Sequence, residues 1–191
     1  MARSTSYRAF CCANKEGDLM DNKALQLILN NIEIIVDTRE NQNFLIMEFF
    51  NKNKIPYTIE KLDTGDYSCI VNPVKEIGFA GADFTDAIGI ERKGSLTELA
   101  GNVAQERERF TRELQRAKDS NMEFTLLVED GSFQDIIKHK YRTNLNEKSF
   151  IASLLTFKYR YGISIEFIPK EFAGAWIYRH FYYYVRNVFK E

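Results

Sequence analysis

Two acidic residues and one lysine, in two separate segments of the chain, could together hydrolyse a phosphodiester bond. Asp66 follows Gly65, and Glu91 stands two positions before Lys93 at the end of an apolar run. Two carboxylates can hold a divalent cation such as Mg²⁺ or Mn²⁺, which keeps several of its own waters. The cation lowers the pKa of a bound water, and the lysine could orient or deprotonate that water or steady the developing charge.

Two predicted strands must bring these residues together. Glu91 and Lys93 are two positions apart, so on a strand they face the same side of the sheet. Gly65 permits a tight turn that directs the Asp66 carboxylate outward. If the two strands pair as a hairpin, Asp66 and Glu91 lie near each other across the ladder. The simpler alternative is a surface ion pair between Glu91 and Lys93, because such triplets are common by chance.

A second charged group follows the apolar run Ile34–Val36. In open α/β sheets, functional sites form at the C-terminal ends of the strands. Asp37 could therefore extend the metal site, Glu40 could reach it through water, and Arg39 could bind a phosphate or orient an acid. The alternative for Arg39 and Glu40 is an exposed helix start, where Glu40 favours the helix dipole.

The hydrophobic pattern that must position these residues alternates between strands and helices. We predict strands at 32–36, 57–62, 66–71, 87–92, 124–128 and 163–168, and helices at 24–29, 41–53, 95–119, 146–161 and 172–189. Residues 72–86 are predicted to be a long hairpin connection. This alternation indicates an α/β domain with a mixed central β-sheet flanked by helices on both faces. We expect 1–31 to be a loose N-terminal extension and 32–191 to be the single domain.

Composition limits the classes of protein that the chain can belong to. The 191 residues are 45% hydrophobic and carry 26 basic and 27 acidic side chains, a formal charge of -1. This suits one globular domain and argues against nucleic-acid binding through bulk charge, so any DNA contact must rest on a local patch. The adjacent cysteines Cys11 and Cys12 suit neither a disulfide framework nor a zinc site.

No signal peptide and no membrane span is predicted, so membrane partners are not expected. We expect the protein in the reducing cytoplasm of a bacterial or phage-infected cell, or in the nucleus if its source is eukaryotic.

Two basic groups are candidates for the local patch. Arg109, Arg112 and Arg116 are spaced three and four apart and share a helical face that could follow phosphates, although they could equally be part of a solvated face with neighbouring glutamates. A second basic run lies in a predicted loop, where binding residues concentrate, and DNA contact is favoured there. The predicted DNA contacts are Arg39, Arg92, Arg109, Arg112, Arg116, Lys138, Lys140 and Arg142.

Taken together, the segments Val36–Glu40, Gly65-Asp66-Tyr67 and Glu91-Arg92-Lys93 resemble the XPF family of structure-specific endonucleases, within the PD-(D/E)XK nuclease superfamily. The stretches 91–102, 140–142 and 149–155 are similar to the stand-alone phage and bacterial branch of that family. The resemblance implies a restriction-endonuclease-like core. It also implies an active site of Asp37, Glu40, Asp66, Glu91 and Lys93, with Asp37, Asp66 and Glu91 on the metal.

The resemblance further implies cleavage of branched or flapped DNA in repair, recombination or phage DNA processing, and assembly as a homodimer. The family's usual aspartate after the triplet stands one residue closer than Glu98 does here, so the place of Glu98 in the site stays open. Two alternatives also stay open. One is a DNA-binding or scaffolding subunit that does not cut, and the other is a Holliday-junction resolvase. An aromatic-rich final helix, with Trp176 and Tyr182–Tyr184, is expected first to pack on the core, and its surplus aromatic side chains are the candidate dimer surface.

Overall fold

The computed structural model describes residues 21–190, and in that part of the chain strands and helices alternate. The strands are β1 (Ile32–Asp37), β2 (Tyr57–Glu60), β3 (Tyr67–Val71), β4 (Ala82–Asp83), β5 (Ile88–Lys93), β6 (Glu123–Glu129) and β7 (Ser164–Ile168). The helices are α1 (Asn22–Leu29), α2 (Phe44–Lys52), α3 (Leu96–Ala104), α4 (Arg107–Asp119), α5 (Phe133–Ile137), α6 (Glu147–Tyr161) and α7 (Lys170–Lys190). A 3₁₀ turn spans Lys75–Ile77.

The seven strands form one mixed sheet, in the order β2-β1-β3-β5-β6-β7 with β4 on β3. Strand β3 runs antiparallel to both β1 and β5, whereas β1–β2, β5–β6 and β6–β7 are parallel pairs. The C-terminal ends of β1, β5, β6 and β7 therefore meet at one edge of the sheet, together with the start of β3. The predicted mixed sheet flanked by helices is confirmed.

Two hydrophobic cores cover the two faces of this sheet. One core contains Ile34, Ile90 and Leu127 with α1, α2 and α7. The other contains Leu126 and Val128 with α3, α4 and α6. Neighbouring residues of β6 thus point into opposite cores, which is the alternation expected of a strand covered on both sides.

Helix α1 belongs to the first core, ahead of the start that was predicted for the domain. Leu25, Ile28 and Leu29 are buried there, and α1 packs against α7. The Asp21 side chain caps the helix by accepting a hydrogen bond from the Lys23 amide. The packed core therefore begins before Ile32. Residues 1–20 of the extension predicted over 1–31, with Cys11 and Cys12, lie outside the described residues.

The prediction of a single long helix over 95–119 is wrong, because the helix is interrupted between α3 and α4. The amides of Gln105 and Glu106 both donate to the Gly101 carbonyl, at 2.8 and 3.2 Å, and so close the last turn of α3. Helix α4 then starts again at Arg107 and packs on both α3 and α6. The apolar spacing continues across the break, so periodicity alone could not reveal it.

The connection over 72–86 and the segment after β6 also differ from the prediction. Residues 72–86 include a 3₁₀ turn and β4, which pairs with β3, so the connection widens the sheet. The short helix α5 was not predicted. Within residues 21–190, no helix combines the length and the apolar character that a membrane crossing requires.

Candidate active site

The pairing of β3 with β5 brings Asp66 beside Glu91. Tyr67 is the cross-strand partner of Ile90, which makes Asp66 and Glu91 the next pair along the ladder. The Asp66 amide donates to the Ile90 carbonyl at 2.8 Å and continues the pairing to this position. Side chains of directly opposed residues share a face of the sheet. The two carboxylates that were predicted from separate segments therefore share one site.

Gly65 shapes the turn that delivers Asp66. Its φ is +81°, a left-handed conformation that residues other than glycine seldom adopt. A Cβ atom at Gly65 would lie 3.0 Å from the Ile90 carbonyl oxygen and 3.1 Å from the Phe124 ring. The Gly65 amide donates to Glu113 Oε1 at 3.2 Å, which ties the turn to α4. Both the backbone conformation and the space thus require glycine here.

Burial changes the acidity of the Asp66 carboxyl. Burial raises its pKa to about 7, although the Arg92 amide and the Lys93 ammonium work in the opposite direction. The Arg92 amide donates to Asp66 Oδ2 at 2.8 Å, so the orientation of the carboxyl is set by the backbone of β5. Nearby Glu40 and Glu113 add negative charge and raise the pKa further.

Glu91 and Lys93 form a buried ion pair, so the alternative of a surface ion pair is wrong. Lys93 Nζ lies 2.6 Å from Glu91 Oε1, and the two residues are 7% and 5% exposed. Burial and the neighbouring Asp66 carboxyl raise the pKa of Glu91. Burial opposes the charge on Lys93, but Glu91 outweighs it and raises the pKa of the ammonium. Lys93 is therefore a charged hydrogen-bond donor at neutral pH.

Glu98, whose place in the site was left open, lies on the first turn of α3 next to this pair. Its Oε1 is 3.8 Å from Lys93 Nζ, and its Oε2 accepts a hydrogen bond from the Gly94 amide at 2.9 Å. Ser95 caps the helix by accepting a hydrogen bond from the Glu98 amide. This cap orients the turn so that Glu98 adds a further acid beside Lys93.

Asp37, predicted as a further metal ligand, lies next to Asp66 on the neighbouring strand, and its carboxylate already has hydrogen-bond partners. Its oxygens accept hydrogen bonds from Arg39 Nε at 2.6 Å, Arg39 Nη2 at 3.1 Å and the Leu62 amide at 2.6 Å. Burial opposes the charge on Asp37, but these bonds outweigh it and hold the pKa of that carboxyl below its ordinary value. In the described residues, no three acidic, histidine or cysteine side chains converge as a ligand set.

Asp37 also supports the loop before β3. Its side chain holds the Leu62 amide, and its own amide donates to the Asp66 carbonyl at 2.8 Å. Asp37 thus supports the segment that ends in Asp66. Arg39 keeps 56% of its side chain exposed, so a phosphate could still reach it.

Arg92 does not fit the prediction that it contacts DNA. Its side chain is 9% exposed, and its guanidinium bonds both oxygens of Glu129, at 2.7 and 2.6 Å. A third bond joins Arg92 Nη1 to Glu40 Oε1 at 3.3 Å. Because burial dominates the environment of Glu40, it raises the pKa of that carboxyl despite the nearby arginine. Because this guanidinium is buried and bonded to two carboxylates, it is not accessible to a phosphate.

Glu113 has no role in the sequence-based prediction, but the structure places it in the site. A cleft of about 270 Å³ opens beside Glu91 and Lys93. The further lining residues are Glu98, Asn102, Glu106, Arg109, Phe110 and Glu113. Glu113 directly precedes buried Leu114 on α4, and its side chain is 16% exposed. That position at the border of the buried stripe is the one sequence signal that separates it from the solvated glutamates of the same helix.

The predicted DNA contacts other than Arg39 and Arg92 are exposed in two groups. Arg109 lines the cleft and is 75% exposed, Arg116 lies 3.8 Å from Glu113, and Arg112 is exposed on the same helix. Lys138, Lys140 and Arg142 are exposed in the loop after α5, which we call the basic loop (138–142).

The basic loop is anchored beside the site. The Arg142 amide donates to Thr97 Oγ1 on the first turn of α3 at 3.1 Å. The Lys140 ammonium is held by Asp135 at 2.8 Å, whereas Lys138 and Arg142 form no ion pair within the described residues. The loop therefore adjoins the helix turn that follows Lys93.

A mixed sheet with paired carboxylates and a lysine at its strand ends is the arrangement of the PD-(D/E)XK nuclease superfamily. Residues 36–180 match the ERCC4 domain, and the chain belongs to the ERCC4-domain family. This confirms the predicted family, that of the XPF-type nuclease domains. No curated protein matches the sequence.

Two solved structures share the fold. The chain is similar to XPF from Aeropyrum pernix with a TM-score of 0.60 and 18% identity, over 82% of this chain and 66% of that one. A structure of XPF from Aeropyrum pernix in complex with DNA aligns with a TM-score of 0.55 and 19% identity, over 76% of this chain and 60% of the other. The chain thus spans less than two thirds of either XPF chain.

We predict that Gly65→Ala destabilises the fold and displaces Asp66. The left-handed φ and the contacts with Ile90 and Phe124 should together cost about 2–3 kcal/mol in the free energy of unfolding. Gly78→Ala is the matched control, since Gly78 also has a positive φ but no atom near the added Cβ. That control should lose only about 1 kcal/mol. Equal losses in chemical denaturation would contradict the close contact at Gly65.

Proposed function

We propose that the protein is a divalent-metal-dependent DNA endonuclease. The observation that carries the proposal is the group of Asp66, Glu91 and Lys93 at the strand ends. Glu91 and Lys93 are buried and line a cleft, and the half-buried Asp66 lies opposite Glu91 across the β3–β5 ladder. Carboxyls with raised pKa values and a charged lysine are costly to bury, and such groups concentrate at functional sites. Membership in the ERCC4-domain family supports a nuclease or DNA-binding role.

The donor set fits a divalent cation bound mainly by water and substrate. The carboxyls of Asp66 and Glu91 share one face, and burial, with the neighbouring acids, raises the pKa of both, so their charged forms would gain from a bound cation. Mg²⁺ or Mn²⁺ accepts oxygen ligands and often uses one or two carboxylates. When bound, such an ion polarises a phosphodiester and acidifies water. Asp66 and Glu91 are the residues that would hold it.

Lys93 would act as a donor to the reacting phosphate. Its ammonium is held at 2.6 Å by Glu91, which fixes its position and keeps it charged. A charged amine cannot remove a proton from water, so its contribution is to orient the water or to stabilise the developing negative charge. Glu40 and Asp37 would support the site from outside, through Arg92 and through the loop at Leu62 respectively.

The proposed substrate is branched or flapped DNA, processed in repair, recombination or phage DNA metabolism. The XPF structure bound to DNA shows that this fold can bind DNA in that relative. In this chain, the basic loop and the arginines of α4 flank the cleft and could hold the two arms of a junction. The proposal places the protein in the cytoplasm, or in the nucleus of a eukaryotic cell.

We predict that Asp66→Asn and Lys93→Met each reduce cleavage at least about a hundredfold. The first change keeps an acceptor for the Arg92 amide but removes the charge, and the second keeps the approximate length of the side chain without its ammonium. Cleavage is measured with Mg²⁺ or Mn²⁺ on forked, flapped, four-way and plain duplex DNA. Asp86→Asn and Lys52→Met make the same chemical changes at exposed positions outside the cleft and the basic loop, and they should leave cleavage intact.

Two results of this assay would contradict the proposal. Full cleavage by Asp66→Asn and Lys93→Met would show that these residues do not form the active site. A wild-type protein that binds these DNAs but cuts none of them would instead support the alternative of a non-catalytic subunit. Paired symmetric nicks confined to four-way DNA would identify the Holliday-junction resolvase alternative.

We further predict that the basic loop contributes to DNA affinity through phosphate contacts. Replacing Lys138, Lys140 and Arg142 with alanine should reduce the slope of log Kd against log salt concentration by about 2 to 3. The matched control replaces three exposed lysines outside the cleft and the basic loop, Lys52, Lys54 and Lys75. An unchanged slope for the basic-loop variant in fluorescence anisotropy would show that DNA lies elsewhere.

A homodimer completes the proposal, with α7 as its surface. A groove of about 500 Å³ runs along this helix, where Trp176 stacks on His180 and Tyr183 is 55% exposed. Exposed aromatic side chains are enriched at protein interfaces. Sedimentation velocity should give the dimer mass for the wild type and the monomer mass for Tyr183→Glu. A wild type that stays monomeric at tens of micromolar would reject the homodimer.

A further inference from the structure

Glu129, at the C-terminal end of β6, makes a contact that the proposed chemistry does not use. Its side chain is 6% exposed, and each of its two oxygens accepts a hydrogen bond from the guanidinium of Arg92, at 2.7 and 2.6 Å. This two-point geometry is the most directional contact that an arginine and a carboxylate can make. Strands β5 and β6 are parallel neighbours, so the contact joins the ends of two adjacent strands at the edge that carries the site.

Arg92, held in this way, contacts two acids of the site through different atoms. Its backbone amide donates to Asp66 Oδ2 at 2.8 Å. Its Nη1 lies 3.3 Å from Glu40 Oε1, and Glu40 has only 10% of its side chain exposed. The orientation of Asp66 and the position of Glu40 therefore both depend on where Arg92 is fixed.

Glu129 also balances the charge of Arg92. A buried guanidinium without a partner attracts any nearby carboxylate, because an uncompensated buried charge is costly. Glu40 is already in contact with Arg92, and Asp66 is bonded to its amide. Without Glu129, the guanidinium would compete for those acids with a divalent cation.

We propose that Glu129 is a positioning residue, whose two-point contact with Arg92 keeps Glu40 in place and keeps Asp66 oriented and available for a divalent cation. Glu129 itself contacts no reacting atom. The inference rests on the proposed function for its effect on cleavage, but its effect on cation binding can be measured separately. Residues that orient metal-binding groups commonly change metal affinity or activity by about 10- to 100-fold when they are replaced.

The test compares Glu129→Gln with Asp130→Asn, the same chemical change at the next position. Asp130 makes an exposed ion pair with Lys170 at 3.2 Å. Its φ of 49° suits asparagine, which tolerates the left-handed region. Mn²⁺ binding is measured by calorimetry without DNA, and kcat and KM are measured on the DNA that the wild type cleaves best. Thermal unfolding checks that each variant is folded.

Glu129→Gln should weaken Mn²⁺ binding and lower kcat about 10- to 100-fold, with the KM for DNA unchanged. Glu129→Asp, which keeps the charge, should recover part of both losses, and Asp130→Asn should match the wild type. A merely structural role would lower the melting temperature without this division between kcat and KM. If Glu129→Gln does not fold, Glu129→Asp is compared with the wild type instead. Its Mn²⁺ affinity should then be measurably lower than that of the wild type, although by less than the factor expected for Glu129→Gln.

The two proposals fail in different ways. A folded Glu129→Gln, or Glu129→Asp in its place, with wild-type Mn²⁺ affinity and kcat would overturn the positioning role and leave the nuclease intact. A wild type that cuts no DNA would overturn the nuclease, and the Mn²⁺ titration would then decide the positioning role alone.

Discussion

The pairing of two carboxyls, buried Glu91 and half-buried Asp66, on one face of the sheet is the constraint on which the rest of the site depends. Asp66 and Glu91 are neighbours across the β3–β5 ladder, and both have raised pKa values because they are removed from water. Such a pair is stable only if nearby groups supply donors or positive charge. Lys93 supplies the charge, and the backbone amide of Arg92 supplies the donor. The need for donors and positive charge beside the two carboxyls explains the side chains that surround the site.

The other basic residues near the strand ends are used to build the site. Arg92 is held by Glu129 and bonds Glu40, and Arg39 is bound to Asp37. These contacts fix the loops that carry the acids, and they leave Lys93 as the cation paired with Glu91 beside Asp66. An excess of acid at this point, beside a cleft, is the environment in which a divalent cation gains most from binding. Positive charge for a DNA backbone then has to come from the periphery, where α4 and the basic loop carry it.

The turn at Gly65 and the first turn of α3 link the acidic site to the basic side chains around it. Glu113 on α4 accepts a hydrogen bond from the Gly65 amide, and Thr97 on α3 accepts one from the Arg142 amide. A helix and a loop that carry exposed basic side chains are thus hydrogen-bonded to the segments that hold Asp66 and Lys93. The break between α3 and α4 matters here, because α4 begins anew at Arg107 and brings Glu113 to the turn at Gly65.

The family was predicted from the resemblance of three short segments, whereas residue types and spacing were enough to predict the sheet and the central group of Asp66, Glu91 and Lys93. Those predictions rest on local rules, because a period of two sets the face of a strand, glycine permits a left-handed turn, and apolar runs identify the buried strands. What the remaining charged residues contact became visible only in the folded chain. Asp37, Arg92 and Glu113 find their partners 25, 37 and 48 positions away in the chain. No rule of sequence spacing predicts contacts between residues so far apart in the chain. Only the folded structure could therefore show which charged side chains are held by other residues and which are exposed.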